Sequence, residues 1–217
     1  MNRLRVIRAA ADFVRARMAG DASGHDAWHA LRVAATAVRI ARREKTDVFV
    51  VALAALLHDI ADWKAHGGNE EAGPAAAGRW LARQRVPRAT IARVCAIVRG
   101  LSFKGAGVRD RRLSREGEIV RDADRLDAIG AVGIARAFAY GGSRGRPIHD
   151  PALRPARHRT ARAYLRSRGS TVNHFYEKLL LLKGRMRTAT GRRIAAGRDA
   201  FLRRFLDRFH REWNGLA

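Results

Sequence analysis

The stretch ALLHDIAD (residues 55–62) ends an apolar run on residues that can do chemistry. His58 and Asp59 directly follow VFVVALAALL (48–57), and Asp62 comes three positions after Asp59. A helix that is apolar on every face is buried, and a buried carboxylate is costly unless it is paired or bound to a metal. His58 and Asp59 lie about 100° apart on a helix and can still converge on one ion, while Asp62 follows one turn later. The pattern predicts a metal site at the end of a buried helix.

Further candidate ligands lie in two distant segments. His29 stands near the start of a predicted helix in GHDAWHALRV, and IVRDADRLDAIGAVG contains three aspartates among apolar residues: Asp122, Asp124 and Asp127. Two neutral imidazoles and two carboxylates make a mixed nitrogen and oxygen site for a divalent ion. Such a donor set allows Mn, Fe, Co, Ni or Zn and disfavours a pure Mg or Ca site. The residues alone leave open which of the three aspartates takes part.

The order of these motifs resembles that of the HD-domain metal-dependent phosphohydrolase superfamily. The resemblance rests on WH at the first ligand, on LLHDIAD at the end of an apolar helix and on the downstream DADRLDAIGA. It implies an all-α fold, a single-domain HD-type helical bundle over residues 1–217. The core motifs would fall in 25–130, and the C-terminal helices in 170–213 would pack on or cover the site. By this resemblance the metal ligands are His29, His58, Asp59 and Asp124, with Asp122 and Asp127 as alternatives to Asp124.

The chain also resembles a bacterial subgroup of single-domain HD hydrolases, from about residue 20 to its end. This part of the resemblance rests on HDIADWKAHGGNEEAG, DADRLDAIGAVGIARAFAYGG and STVNHFYEKLLLLKGRM. Members of the subgroup include enzymes that hydrolyse nucleoside triphosphates to monophosphate and pyrophosphate. We therefore expect a metal-dependent phosphohydrolase that converts (d)NTP to (d)NMP and pyrophosphate. A phosphodiesterase or a 5′-nucleotidase with another phosphoester substrate is the alternative within the family.

The resemblance also bears on the cofactor. We expect one divalent transition metal, with Mn favoured over Ni, Co, Fe and Zn, and with Mg entering alongside the nucleotide. HD proteins with two metals carry additional histidines after the HD motif. The corresponding stretch here, VCAIVRGLSF, offers Arg99 but no histidine, which favours a mononuclear site.

The expected mechanism assigns roles to residues beside the motifs. The metal lowers the pKa of a bound water and polarises a phosphoryl oxygen, and the charge that develops on the phosphate needs cationic partners. Asp62 resembles by its position a proton-transfer carboxylate of some HD nucleotidases, and Glu70 or Glu71 are candidates to replace it or to hold a second Mg²⁺. The expected catalytic residues are Asp62, Lys64, Lys104 and Glu70. The expected substrate-binding residues are Lys64, Lys104, Arg125, His174, Tyr176 and Lys178.

Composition and charge bound the class of the protein and its partners. The 217 residues are 47% hydrophobic, which suffices for a sizeable core, and the formal net charge of +24 attracts anions. We expect a nucleotide as partner, a monomer or homodimer, and no membrane insertion, because the apolar run 48–57 is shorter than the about 20 residues of a membrane span. A basic nucleic-acid-binding protein with a structural metal site is the alternative, but no zinc finger, RNA-recognition pattern or isolated basic arm supports it. The single cysteine and the absence of a signal-peptide pattern indicate a cytoplasmic protein.

Apolar periodicity and capping residues predict a nearly all-helical chain without a sheet. The predicted helices cover 3–18, 27–44, 47–62, 73–84, 90–100, 115–140, 170–190 and 191–213. The irregular segment 143–169 is the best candidate for a mobile lid or linker. Cys95 lies in an apolar pattern and is expected to be a buried structural thiol. Three further histidines are expected at the surface: His149, His158 and His210.

Overall fold

The computed structural model describes residues 1–20, 24, 26–61, 69–101, 107–158, 160, 162–163 and 169–216. In these residues the chain forms α-helices and short 3₁₀ helices but no strand, so the predicted all-α fold is confirmed. The α-helices are α1 (Arg3–Arg17), α2 (Ala27–Arg43), α3 (Val48–Leu57), α4 (Ala72–Arg83), α5 (Arg88–Gly100), α6 (Arg115–Asp127), α7 (Gly130–Ser143), α8 (Thr171–Glu177) and α9 (Ala189–Trp213). The 3₁₀ helices are Leu179–Leu181 and Lys183–Arg185. Of the helices that the structure describes, none has the length and hydropathy needed to cross a membrane.

The chain divides into two compact units. The first contains Met1–Phe103 and Arg109–Asp124, and the second contains Lys104–Val108 and Arg125–Ala217. Helix α6 passes from the first unit into the second after Asp124. The expectation of one domain over the whole chain, with the C-terminal helices on the site, stays a prediction.

Helix α3 is the centre of the first unit because its sequence is apolar on every face. Its residues from Phe49 to Leu57 are all buried. Helices α1, α2 and α5 pack against it, and α2 contributes the small buried residues Ala30 and Ala37. Full burial of a leucine such as Leu53 contributes about 1.5–3 kcal/mol. The core therefore fixes the end of α3, where the HD dipeptide begins.

Both ends of α3 have identifiable causes. The Asp47 carboxylate caps the start by accepting hydrogen bonds from the backbone N–H groups of Phe49 (3.1 Å) and Val50 (3.3 Å). Burial raises the pKa of Asp47, but these bonds and the Arg93 guanidinium, 2.9 Å away, outweigh it and lower that pKa. The helix stops at Leu57, so its predicted continuation is wrong for residues 58–61, which form a turn. The predicted end at 62 lies outside the described residues.

The predicted single helix 115–140 is wrong, because the chain breaks between α6 and α7. Ile129 is extended, with φ −127° and ψ 163°, and Gly130 has a φ of +78°. The break lets Ile129 and Leu126 both be buried. The guanidinium of Arg198 donates to the backbone oxygen of Leu126, so a carbonyl at the end of α6 keeps a partner.

Gly130→Ala is expected to lower the free energy of unfolding by about 1–2 kcal/mol, because a left-handed backbone strains any residue with a Cβ atom. The added Cβ would also lie 3.0 Å from Cγ of Arg198. Urea denaturation followed by circular dichroism measures the change. The matched control is Gly142→Ala in α7, where nothing lies within 4 Å of the added atom, and we expect it to be neutral or to stabilise by up to about 1 kcal/mol. Equal effects of the two substitutions would contradict this account of the break.

The second unit is organised around its aromatic residues. Helix α7 packs against α9 and α8, and Phe138, Phe175, Phe205 and Phe209 form a cluster with ring centroids 5.7–6.4 Å apart. The predicted helix 191–213 is confirmed, starting two residues earlier at Ala189. The predicted helix 170–190 is only partly right, since α8 ends at Glu177 and two 3₁₀ helices follow.

The burial of His158 differs from the expectation, whereas that of Cys95 fits it in part. His158 is not a surface residue, because it is buried with Nε2 3.3 Å from Oε2 of Glu177, whose Oε1 accepts from the backbone N–H of Ala156. A buried carboxylate thus has partners on both oxygens. Cys95 is half-buried and its Sγ donates to the backbone oxygen of Pro74 at 3.3 Å. Burial raises the pKa of this thiol, which suits a structural cysteine.

Candidate metal centre

The start of helix α2 positions the first histidine. Asp26 caps the helix by accepting a hydrogen bond from the backbone N–H of His29 at 2.9 Å. This cap fixes the register in which His29 points into the first unit, where its side chain is 1% exposed. The neighbouring Trp28 is exposed. Local capping chemistry therefore places one imidazole in the core.

The end of helix α3 positions the second histidine and a carboxylate. The ring of His58 donates from Nδ1 to the backbone oxygen of Ala55 at 2.7 Å, which satisfies a carbonyl in the last turn of the helix. With the proton on Nδ1, the lone pair lies on Nε2. Asp59 follows in the turn, so the imidazole and the carboxylate leave the helix at the same point.

Four side chains converge at these helix ends. Nε2 of His29 lies 3.4 Å from Oδ2 of Asp59 and 3.4 Å from Oδ1 of Asp124 on α6. Nε2 of His58 lies 3.4 Å from the same oxygen of Asp59 and 3.8 Å from that of Asp124. The histidine side chains are 1% and 3% exposed, whereas those of Asp59 and Asp124 are 23% and 33% exposed. The cluster is thus closed by the imidazoles and reachable from solvent along the carboxylates.

The donor atoms fit a divalent metal ion. Among the described residues, ligand atoms of His29, His58 and Asp59 lie within 4.8 Å of one another, and this trio can hold an ion. Nε2 of His58 is buried without a hydrogen-bond partner in the described part of the chain, and its distances to the carboxylates exceed the usual 2.7–3.2 Å. A buried polar atom without a partner costs free energy, which an ion would recover. Two nitrogen and two oxygen donors suit a transition metal.

The electrostatics of the cluster also favour a cation. Burial raises the pKa of Asp59, but the charge of His58 and the hydrogen bond from His29 outweigh it and hold that pKa well below its usual value. Burial likewise raises the pKa of Asp124, and the two histidines again reverse the shift. Burial lowers the pKa of His58, but Asp59 outweighs it and raises that pKa. Both carboxylates are therefore ionised at neutral pH and attract positive charge.

The three aspartates of α6 have different surroundings. Asp124 is the one whose Oδ1 approaches both imidazoles. Asp122 is fully buried. Asp127 belongs to the second unit, where its Oδ2 lies 3.1 Å from Nη1 of Arg136. Geometry thus favours Asp124 as the fourth ligand, and its role as a ligand stays a prediction.

Of the four predicted catalytic residues, Glu70 is the one in the described part of the chain. Asp62, Lys64 and Lys104 fall outside the described residues. Glu70 pairs with Arg111, with Oε2 2.7 Å from Nη2. Glu71 accepts two hydrogen bonds from the guanidinium of Arg99, at 2.6 and 2.7 Å, and hydrogen bonding to Arg99 lowers the pKa of the carboxyl. Arg99 is thus engaged with a carboxylate.

The predicted substrate-binding residues at the C-terminal side belong to the second unit. Arg125 is buried and donates from Nη1 to the backbone oxygen of Arg185 at 2.9 Å. The hydroxyl of Tyr176 lies 3.0 Å from Nε2 of His210. His174 and Lys178 lie in and directly after α8. Their contact with substrate stays a prediction.

Sequence reasoning missed Arg121. Its side chain is 1% exposed, and Nη2 donates to the backbone oxygens of Gly100 (3.2 Å) and Arg111 (2.5 Å). In sequence these two residues flank the segment that contains Lys104. The available signal was a charged residue inside the apolar pattern of α6, but a chain with so many arginines does not single it out.

The site lies within a range that matches a known family. Residues 27–129 match the family model of the HD domain, and this range includes all four converging side chains. The uncharacterized protein YpgQ of Bacillus subtilis (strain 168) is 35% identical over 205 residues, which are 94% of this chain and 92% of that protein.

Solved structures resemble the whole chain. A protein from Lactobacillus plantarum with a known crystal structure has 38% sequence identity to this chain. The two structures match with a TM-score of 0.84 over 96% of this chain and 97% of that one. An HD-superfamily hydrolase from Bacillus thuringiensis is 37% identical with a TM-score of 0.75, covering 98% and 99%. YpgQ, in its crystal structure with ADP, has 32% sequence identity to this chain. That structure matches with a TM-score of 0.77 over 98% of this chain and 97% of YpgQ.

Proposed function

Since this chain belongs to the HD-domain superfamily of metal-dependent phosphohydrolases, we propose that it hydrolyses nucleoside or deoxynucleoside triphosphates to the monophosphate and pyrophosphate. The observation that carries the proposal is the convergence of His29, His58, Asp59 and Asp124 around a buried nitrogen without a partner. Such a cluster holds a divalent ion of the kind that phosphoryl chemistry uses.

A nucleotide substrate is supported by two further observations. YpgQ, a relative over nearly the whole chain, forms a complex with ADP. The formal net charge of +24 favours polyanionic ligands over neutral ones. We also propose that the protein acts in the cytoplasm, where its substrates are present. We propose that it is a monomer or a homodimer.

The proposed mechanism gives different residues the roles of binding the metal, compensating charge and transferring a proton. Asp59 and Asp124 would neutralise the charge of a bound ion, and the two imidazoles, which α2 and α3 hold in the core, would fix its position. A bound divalent ion supplies Lewis acidity, which activates water and polarises a phosphoryl oxygen. We propose that Lys64 and Lys104 compensate the charge that develops on the phosphate and that Asp62 moves the proton, with Glu70 as the substitute.

We propose Mn²⁺ as the resident ion, because two nitrogen and two oxygen donors suit a borderline metal better than Mg²⁺ or Ca²⁺. Ni, Co, Fe and Zn share this preference, so the identity is settled by elemental analysis of the purified protein. Mg²⁺ would enter with the nucleotide.

Product analysis tests the proposal. The protein is incubated with each common NTP and dNTP plus Mn²⁺, with Asp59→Ala in parallel, and the products are separated by ion-exchange chromatography. We expect monophosphate and pyrophosphate from the wild type and neither from Asp59→Ala. Release of inorganic phosphate instead would indicate a phosphatase or nucleotidase. The absence of turnover with every triphosphate would refute the triphosphate substrate.

A further inference from the structure

The second unit contains a pair of histidines whose rings have nearly the same relation as those of the metal centre. His149 lies between α7 and α8, and His210 lies on α9. Their ring centroids are 5.2 Å apart with an interplanar angle of 74°. For His29 and His58 the corresponding values are 5.1 Å and 70°. The spacing and mutual inclination of the two imidazoles in the candidate metal centre therefore recur in the second unit.

The two pairs share a second feature. Within the described residues, the buried side-chain nitrogen and oxygen atoms without a hydrogen-bond partner are Nε2 of His58 and Nδ1 of His149. Each pair thus contributes one such atom. An imidazole nitrogen buried without a partner is costly, and a metal ion is one of the few groups that a bare ring nitrogen can bind. The unsatisfied Nδ1 of His149 points to a ligand.

One ring nitrogen of the second histidine has a hydrogen-bond partner. Nε2 of His210 lies 3.0 Å from the hydroxyl oxygen of Tyr176 on α8. When Nε2 carries the proton and donates to this oxygen, the lone pair of His210 lies on Nδ1. Histidines that bind metals usually donate their other ring N–H to an oxygen in this way, which fixes the tautomer and the ring.

The surroundings keep His149 in its metal-binding form. Rings of Phe209 and Trp213 lie 5.9 and 5.0 Å from its own and shield it. Burial lowers the pKa of His149, and the nearby His210 lowers it further, so the ring is neutral at pH 7. The carboxylate of Asp150 adds negative charge beside it.

We propose that His149 and His210 form a second transition-metal site, which binds an ion such as Zn²⁺ through the Nδ1 atoms of both rings. The site lies wholly in the second unit and uses no residue of the HD motif. Two imidazole donors suit zinc, nickel, cobalt and copper and do not suit magnesium or calcium. The ion would tie the segment between α7 and α8 to α9.

Equilibrium dialysis of the full-length protein against Zn²⁺ tests the proposal. We expect the wild type to bind two equivalents, one at each histidine pair. His149→Phe keeps a ring in the aromatic cluster and should bind one equivalent, whereas Asp59→Asn should lose the other equivalent and retain this one. Tyr176→Phe removes the oxygen that orients His210, and we expect it to weaken the second equivalent by about 10–100-fold.

A spectroscopic readout separates this site from adventitious binding. In ¹⁵N NMR spectra of the imidazoles, Zn²⁺ should shift the Nδ1 signals of His149 and His210 and leave that of His158 in place. Circular dichroism identifies any variant that fails to fold, and His210→Gln then replaces His149→Phe. Zn²⁺ binding by the wild type that neither His149→Phe nor His210→Gln reduces would overturn the proposal, whatever happens at the first pair.

Discussion

Asp59→Asn and Asp124→Asn are each expected to lower the rate of triphosphate hydrolysis by at least about 100-fold, since losing a ligand should cost more than the 10–100-fold typical of an outer-shell change. The amide keeps the shape of the carboxylate but removes its negative charge. Oδ2 of Asp59 lies 3.4 Å from Nε2 of both histidines, and Oδ1 of Asp124 lies 3.4 and 3.8 Å from them, so each substitution removes one of the two charges that would balance a cation. Bound metal should fall in parallel with the rate.

The measurement combines steady-state hydrolysis with elemental analysis of the purified variants. Asp12→Asn is the matched control, because that carboxylate is exposed and pairs with Arg15 on its own helix. It should keep full metal content and full rate. If Asp59→Asn lost its metal but hydrolysed triphosphate at the wild-type rate, the cluster would be structural and the chemistry would lie elsewhere.

Arg121→Ala is expected to lower the free energy of unfolding by about 3–5 kcal/mol, because it removes a donor from two backbone carbonyl groups and opens a cavity. The guanidinium is almost fully buried and donates to the backbone oxygens of Gly100 and Arg111 from a single nitrogen. Those bonds hold both flanks of the segment 102–106 against α6. Arg121→Lys keeps the charge but loses the planar donor, so it should recover only part of the loss.

Urea denaturation with a global fit of both variants gives these values. Arg115→Ala on the same helix is the matched control, since the guanidinium that pairs with Glu44 is half-exposed, so solvent screens the ion pair. Such pairs contribute about 1 kcal/mol or less. An Arg121→Ala protein as stable as Arg115→Ala would show that Gly100 and Arg111 find other donors, and that the buried arginine has no structural role.

The residues of the candidate site were found from sequence because their chemical types are rare in their surroundings. A histidine and an aspartate at the end of VFVVALAALL cannot be an ordinary solvated pair, and Asp26 before His29 is a recognisable cap. The structure brings all four predicted ligands together. The choice of Asp124 over its neighbours rested on the resemblance, since Asp122 and Asp127 have the same chemistry.

Helix boundaries were predicted less well where tertiary contacts decide them. The run 115–140 has helical periodicity throughout, yet it breaks at Ile129 and Gly130. Burial of the apolar side chains and a donor from Arg198 compensate a break that local propensity does not predict. The expected surface position of His158 is wrong, because its pairing with Glu177, 19 residues away in the chain, is not visible in a local pattern.

The sequence by itself determined the all-helical class, the buried α3 and the donor atoms at its end, because periodicity and apolar content act over a few residues. Only the tertiary structure decided which side chains meet. It showed Nε2 of His58 without a partner, Arg121 bound to two distant carbonyls, and His149 beside His210. These relations join residues far apart in the chain, and their free energies depend on burial and distance, which a linear pattern does not contain.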